Sequence, residues 1–176
     1  GLLNQVTNKD LDFVKGDIRD KEFLAKSLDG VEAVVHLAAI VGFPACRKEP
    51  NVSRDINVNG TLNLVNLVEG RMPIVFASTG STYGKMIEKY CTETTPLNPL
   101  SDYGKQKAEA EEIIKTNHEF VIYRFATAFG VSPRMRLDLL PNDFSFRAVK
   151  DKSLVIYEKN FMRTFIHVKD MARSII

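Results

Sequence analysis

The chain has 176 residues, 44% hydrophobic and 26% charged, an ordinary composition for one globular domain with a real core. Its formal charge of +2 is too small to argue for nucleic acid or an anionic membrane surface as partner, and no apolar run approaches the length of a membrane span. Cys46 and Cys91 are far apart and form no CxxC, so they read as reduced thiols in a cytosolic setting, without a disulfide framework or a zinc site.

Along the chain, short apolar runs alternate with longer helical patterns. "LDFVKGD" (11–17) predicts a strand, and "DKEFLAKSL" (20–28) a helix with Asp20 at its N-cap. "EAVVHLAA" (32–39) is a near-continuous apolar run, as in a strand covered on both faces. Val52, Ile56, Leu62, Val65 and Val68 predict a helix from about Asn51 to Glu69, stopped by Gly70. "PIVFAS" (73–78) predicts another buried strand. A helix over 101–116 and the run "FVIYRFA" (120–126) form the next helix–strand unit. A Pro- and Arg-containing loop (131–141), a helix (142–150), two short strands and a helix from about Val168 follow. The alternation predicts an α/β fold, a parallel sheet with helices on both faces.

In open sheets of this kind, ligands bind beyond the carboxyl ends of the strands. The residues there are Gly16-Asp17-Ile18, Leu37-Ala38-Ala39, "STGSTYG" (78–84) and "ATAFG" (126–130). Small side chains at 38 and 39 let a flat ligand lie close to the backbone, and the third group is rich in hydroxyls. Tyr103 and Lys107 open the helix that follows it. Residues i and i+4 share a helical face, so both can point into one crevice, whereas Lys105 cannot. His36 and His167 lie within apolar strands and read as packed, hydrogen-bonded histidines, while His118 reads as exposed. No His/Cys/Asp cluster has metal-ligand spacing, and no metal is expected.

Seven pieces carry a family resemblance: "GDIRD" (16–20), "VVHLAA" (34–39), "INVNGTLNLV" (56–65), "VFASTGSTYG" (75–84), "YGKQK" (103–107), "YRFATAFG" (123–130) and "RTFIHVKDMA" (163–172). In this order and spacing they resemble the extended short-chain dehydrogenase/reductases, in particular the NAD-dependent nucleotide-sugar epimerases and dehydratases. The resemblance implies a Rossmann-like doubly wound parallel sheet. Residues 1–130 would be a partial NAD-binding domain. Residues 131–176 would start the substrate-binding part, with a return to the Rossmann sheet. The family's glycine-rich turn, GxxGxxG, and the acidic residue some way after it are not in this sequence, and neither is most of the C-terminal substrate domain. An internal fragment or a natural truncation is therefore expected.

The resemblance also implies roles. Tyr103 would be the base that takes the proton from a sugar hydroxyl, and Lys107 the ammonium that favours its phenolate and binds the nicotinamide ribose. Thr79 would hydrogen-bond the reacting oxygen, with Ser78 as the neighbouring alternative. Asp17 and Ile18 would meet the adenine, Leu37, Ala38 and Ala39 would line the cofactor, and Asn57 would buttress the cofactor loop. Arg163 would grip a substrate diphosphate, Arg134 and Arg136 adding to it, and Thr127 stands where many members carry a substrate-contacting Asn. Gly80-Ser81 replaces the Asp-Glu pair of the family's dehydratases. The expectation is thus an NAD-dependent nucleotide-sugar epimerase, similar to UDP-glucose 4-epimerase. It would be cytoplasmic and a homodimer through helices 51–69 and 101–116. The alternatives are a reductase or dehydratase of the same family, or a non-catalytic truncated binding module. The choice of sugar, and of NAD over NADP, is normally read outside the segments present here.

Overall fold

A computed structural model describes residues 9–85, 90–133, 135–157 and 159–176. They fall into two compact units, Lys15–Arg124 and residues 9–14 with Phe125–Ile176.

In the larger unit the order is α1 (Lys21–Ser27), β1 (Val34–His36), α2 (Phe43–Lys48), α3 (Pro50–Arg54), a π-helical turn (Asp55–Asn59), α4 (Gly60–Val68), β2 (Ile74–Thr79), a 3-10 turn (Gly80–Thr82), α5 (Asp102–Ile114) and β3 (Phe120–Phe125). The strands form one sheet in the order β1-β2-β3, with β1 and β2 parallel and Val35 opposite Val75. Local chemistry sets the helix ends. Asp20 accepts from the Phe23 N–H at 3.0 Å, as its N-cap position predicts, and Ser101 caps α5 by accepting from Gly104 N at 3.1 Å. α4 stops at Glu69, which is left-handed at φ 51, with Gly70 following at φ 72.

β2 buries alternate residues, Ile74, Phe76 and Ser78. Ile74 and Phe76 join Leu64, Val65 and Val68 of α4, Met72, and Ala110 and Ile114 of α5 in one apolar cluster. Burial of each large member stabilises the sheet–helix packing by about 1.5–3 kcal/mol. The cluster fixes α5 against β2, and with it the helix that carries Tyr103 and Lys107.

Several expected elements differ. Residues 11–17 form no strand: no described strand pairs with them, and Leu11, Phe13 and Val14 are exposed. An apolar run becomes a strand only where a neighbour takes up its N–H and C=O groups. For the same reason the ladder of the 32–39 run is confined to Val34–His36. The helix expected over 51–69 contains a π-turn at Asp55–Asn59. Asn57, Thr61, Leu64 and Val68 form its buried face at helical spacing, and Leu62, one residue off that face, is 42% exposed. α2, with Pro44 in its first turn, lay outside the predicted elements.

The smaller unit contains β4 (Thr127–Phe129), α6 (Leu140–Lys150), β5 (Phe165–His167) and α7 (Val168–Ile175). β4 and β5 are parallel, with Thr127 opposite Phe165 and Phe129 opposite His167. α6 begins two residues before its predicted start because Pro141 suits a first helical turn. Of the two short strands expected between the last helices, β5 alone is present among the described residues, and the apolar run 154–157 is exposed instead. No described helix is long and apolar enough to cross a membrane.

Candidate active site

The start of α5 is pressed against the turn that follows β2. A Cβ on Gly104 would stand 2.9 Å from the Ser81 carbonyl oxygen and 3.1 Å from Pro99 Cβ, so only glycine permits this approach next to Tyr103. Gly84 closes the same loop at φ +68, where a Cβ would overlap the Asn98 carbonyl. The hydroxyl-rich turn and the first turn of α5 are thereby brought together, as the order of motifs predicts.

Ser78 and Thr79 have different fates. Ser78 is buried and donates to Glu111 Oε1 in a short hydrogen bond. Thr79, the last residue of β2, is half-buried, and its Oγ1 accepts from Ser81 N at 3.2 Å. Of the two hydroxyls, Thr79 is the one outside the buried network.

Tyr103 is half-buried on α5, and Lys107 is 3% exposed. The Lys107 ammonium lies 3.8 Å from the centroid of the Phe76 ring and has no ion-pair or hydrogen-bond partner among the described residues. Burial lowers its pKa from the usual 10.5 to about 7, with the Glu111 carboxylate acting against that fall. Lys107 is therefore not a permanently fixed charge: at neutral pH it stands near its own titration point.

The β1 end is held from behind. Asn57, in the π-turn, accepts from Ile40 N at 2.8 Å and donates to Ile40 O at 3.0 Å. Its amide also donates to Gln106 Oε1 at 2.8 Å, and Gln106 donates to Ser53 Oγ at 2.9 Å. Asn57 thus buttresses the loop after β1, where Leu37 and Ala38 are exposed and Ala39 is half-buried. His36 is buried; its Nε2 lies 2.9 Å from the Thr61 hydroxyl, which itself donates to Asn57 O. Burial, and then the charge of Lys107, lower the His36 pKa to about 3, so this histidine is neutral and packed.

Asp17 is exposed and held by Arg19, whose Nε and Nη2 donate at 3.0 and 2.6 Å; these bonds lower its pKa to about 2. Ile18 packs on Gly60, where a Cβ would come within 2.6 Å of it. In the smaller unit, Thr127 is half-buried in β4. Arg163 is exposed, with no partner among the described residues. Arg136 is paired with Asp138, and Arg134 lies outside the described residues. His167 caps α7 by accepting from Lys169 N at 3.2 Å, and His118 is exposed.

Residues 3–176 match the sequence profile of the NAD dependent epimerase/dehydratase family. The chain belongs to that family. A Methanocaldococcus jannaschii protein provisionally named UDP-glucose 4-epimerase is 33% identical over 95% of this chain and 58% of its own length. UDP-glucose 4-epimerase 2 of Oryza sativa subsp. japonica is 30% identical over 94% of this chain and 47% of its own. Among solved structures, a dTDP-glucose 4,6-dehydratase double mutant from Streptomyces venezuelae with NAD bound superposes with a TM-score of 0.86. It is 29% identical and aligns with 99% of this chain and 56% of that one. A UDP-glucuronic acid 4-epimerase from Bacillus cereus, in complex with UDP-glucuronic acid and NAD, gives 0.83 at 27% identity, over 98% and 56% of the two chains. The chain spans about half the length of the relatives it matches. The Rossmann-like fold expected from the motifs is thereby established.

Within this member of the epimerase/dehydratase family, the motif reading passed over two residues. Glu111 is fully buried and Arg124 is bonded to it from β3, Nη2 to Oε2 at 2.7 Å and Nε to both oxygens at 3.1 and 3.0 Å. Arg124 also donates to the Tyr83 hydroxyl at 3.1 Å, and Tyr83 donates to Thr92 O at 3.0 Å. One sequence signal was available: Glu111 follows Lys107 by four residues and lies between the apolar Ala110 and Ile114.

Proposed function

We propose that the full-length protein is an NAD-dependent nucleotide-sugar epimerase, similar to UDP-glucose 4-epimerase. The observation that carries this reading is the Lys107 ammonium, buried beside the Phe76 ring with no protein acceptor among the described residues. Three N–H donors without a protein acceptor among the described residues fit a ligand rich in hydroxyls, such as a ribose. The residues that would hold NAD are Asp17 and Ile18 at the adenine, Leu37, Ala38 and Ala39 along its length, Asn57 behind them, and Tyr103 with Lys107 at the nicotinamide ribose. Asp17, ionised down to about pH 2, keeps acceptor capacity for an amino group. NAD, when bound, supplies a reversible hydride acceptor.

The chain's own residues do the proton work. Tyr103 takes the proton of the sugar hydroxyl at its phenolate oxygen and returns it when the opposite configuration forms. Thr79 accepts and donates at the same oxygen. A tyrosine is a weak base near neutrality, with an ordinary pKa of about 10, and a protonated Lys107 one turn away favours its phenolate. Gly80-Ser81 provides no acid–base pair for elimination of water, which favours epimerisation over dehydration. Thr127 and, in residues 131–176, Arg163 would meet the nucleotide-sugar substrate, Arg163 by a bidentate grip on its diphosphate. The reading extends to a cytoplasmic homodimer through helices 51–69 and 101–116, which sedimentation of the full-length protein tests.

The deciding experiment incubates the full-length protein and NAD with UDP-glucose or UDP-galactose and follows products by NMR. Interconversion without accumulation of NADH is the expected outcome. Net consumption of NADH would make the protein a reductase, and loss of water a dehydratase. Absence of NAD binding and turnover would leave a binding module.

A further inference from the structure

Glu111 has no step in the chemistry above, yet it is the most heavily bonded side chain on α5. It is fully buried, and donors converge on it from two strands: the Arg124 guanidinium on β3 and the Ser78 hydroxyl on β2. It lies four residues beyond Lys107 and eight beyond Tyr103, so the three share one stripe of the helix. Ser78 immediately precedes Thr79. The bond from Ser78 to Glu111 therefore links the end of β2 to the helix that carries the tyrosine and lysine.

We propose that Glu111 is the positioning residue of this site: held by Arg124 and Ser78, it fixes α5 against the strand ends, and its carboxylate stands one helical turn beyond Lys107 as the counter-charge to that ammonium. The proposal rests on the roles given to Tyr103 and Lys107 above. Burial disfavours the ammonium, and the opposing influence on Lys107 comes from Glu111. Among the described residues, the groups on β1, α2, α3 and the π-turn do not supply that charge. His36 on β1 is neutral above about pH 3, and Cys46 on α2 is buried with its thiol pKa pushed up. Arg54 on α3 is tied to Glu109, and Asp55 lies near Arg19. Arg124 itself attenuates Glu111, so the carboxylate must be held close and in place to act on Lys107.

The test uses the full-length protein labelled at lysine ε-carbons, with the Lys107 signal assigned through Lys107→Arg. Glu111→Gln keeps an amide in place and removes the charge. Lys107 should titrate at lower pH than in the wild type, the alkaline limb of the pH–rate profile should move the same way, and kcat should fall about ten- to a hundredfold with little change in KM. The paired replacement Glu111→Met with Arg124→Met leaves no unpaired ion. It should recover thermal stability while kcat stays low and Lys107 still titrates low. A paired variant with wild-type kcat and an unchanged Lys107 titration overturns the proposal and makes the ion pair merely structural. Should both Glu111 variants fail to fold, Ser78→Ala decides: a several-fold loss of kcat supports the link through β2, and wild-type kcat overturns it. The lysine titration needs no substrate. If the wild-type protein turns over no nucleotide sugar, the functional reading fails, while the titration still decides the role of Glu111.

Discussion

Helix α5 takes part in two buried polar networks built on different chemistry. Through Gln106 it joins a neutral chain of amides and hydroxyls, Ser53–Gln106–Asn57, that ends on both backbone groups of Ile40. Through Glu111 it joins a charged one, Ser78–Glu111–Arg124–Tyr83. The neutral network satisfies a loop and leaves nearby pKa values largely to burial. The charged network also sets a carboxylate one turn from Lys107, opposing the burial that lowers its pKa. The comparison teaches that a buried amide fixes shape, whereas a buried ion pair fixes shape and protonation together.

The largest effect is expected at the tyrosine on the helix that both networks share. Tyr103→Phe in the full-length protein should keep NAD binding and lower turnover by about 10²–10⁴-fold, measured by single-turnover kinetics. Near-wild-type turnover would end the assignment of the base. On the neutral side, Asn57→Leu strips partners from Ile40 N and O together. Urea unfolding should show a loss of about 3 kcal/mol, with the Lys107 titration unmoved. A shift of that titration would erase the distinction between the networks.

A smaller effect is the pH dependence that Lys107 contributes. Its folded pKa, about 7, is below the 10.5 of the free side chain, so the unfolded chain binds more protons between these values. Stability should therefore rise from pH 7 towards 10.5 by up to about 1.4 kcal/mol per unit from this group, and Lys107→Met should flatten that slope. His36 acts in the acid range: with a folded pKa of about 3 against 6.5, its contribution is present above pH 6.5 and lost on the way down to 3. The smallest change is expected at the exposed Arg54–Glu109 pair, where Arg54→Ala should cost less than about 1 kcal/mol in thermal denaturation. A larger loss would place that surface pair in the same class as Glu111–Arg124.

Much of the frame was legible because its causes are local. Asp20 and Ser101 cap helices through hydrogen bonds spanning three residues, and Tyr103 and Lys107 share a face by helical period alone. The motif order was enough to identify the family, whose profile matches residues 3–176. Asn57 bonds both backbone groups of Ile40 in the loop after β1, and the cofactor role that the resemblance implies for it is part of the proposed function.

Other features depend on chain segments far apart in sequence. Ser78 is 33 residues from Glu111, and nothing in "ASTGS" indicates which hydroxyl turns inward. The choice is made by the phase of β2 against α5. The strand expected at 11–17 has no described strand beside it, and the packing of α4 against β2 and α5 takes in Leu64 and leaves Leu62 exposed. The basicity of Lys107 belongs to this second group. The sequence by itself determined which residues could meet at one helical face and which strand ends they would follow, because spacing and caps act over a few residues. Only the tertiary structure decided that Lys107 lies buried on Phe76 with Glu111 as its counter-charge, because burial and pairing depend on what the rest of the chain packs around it.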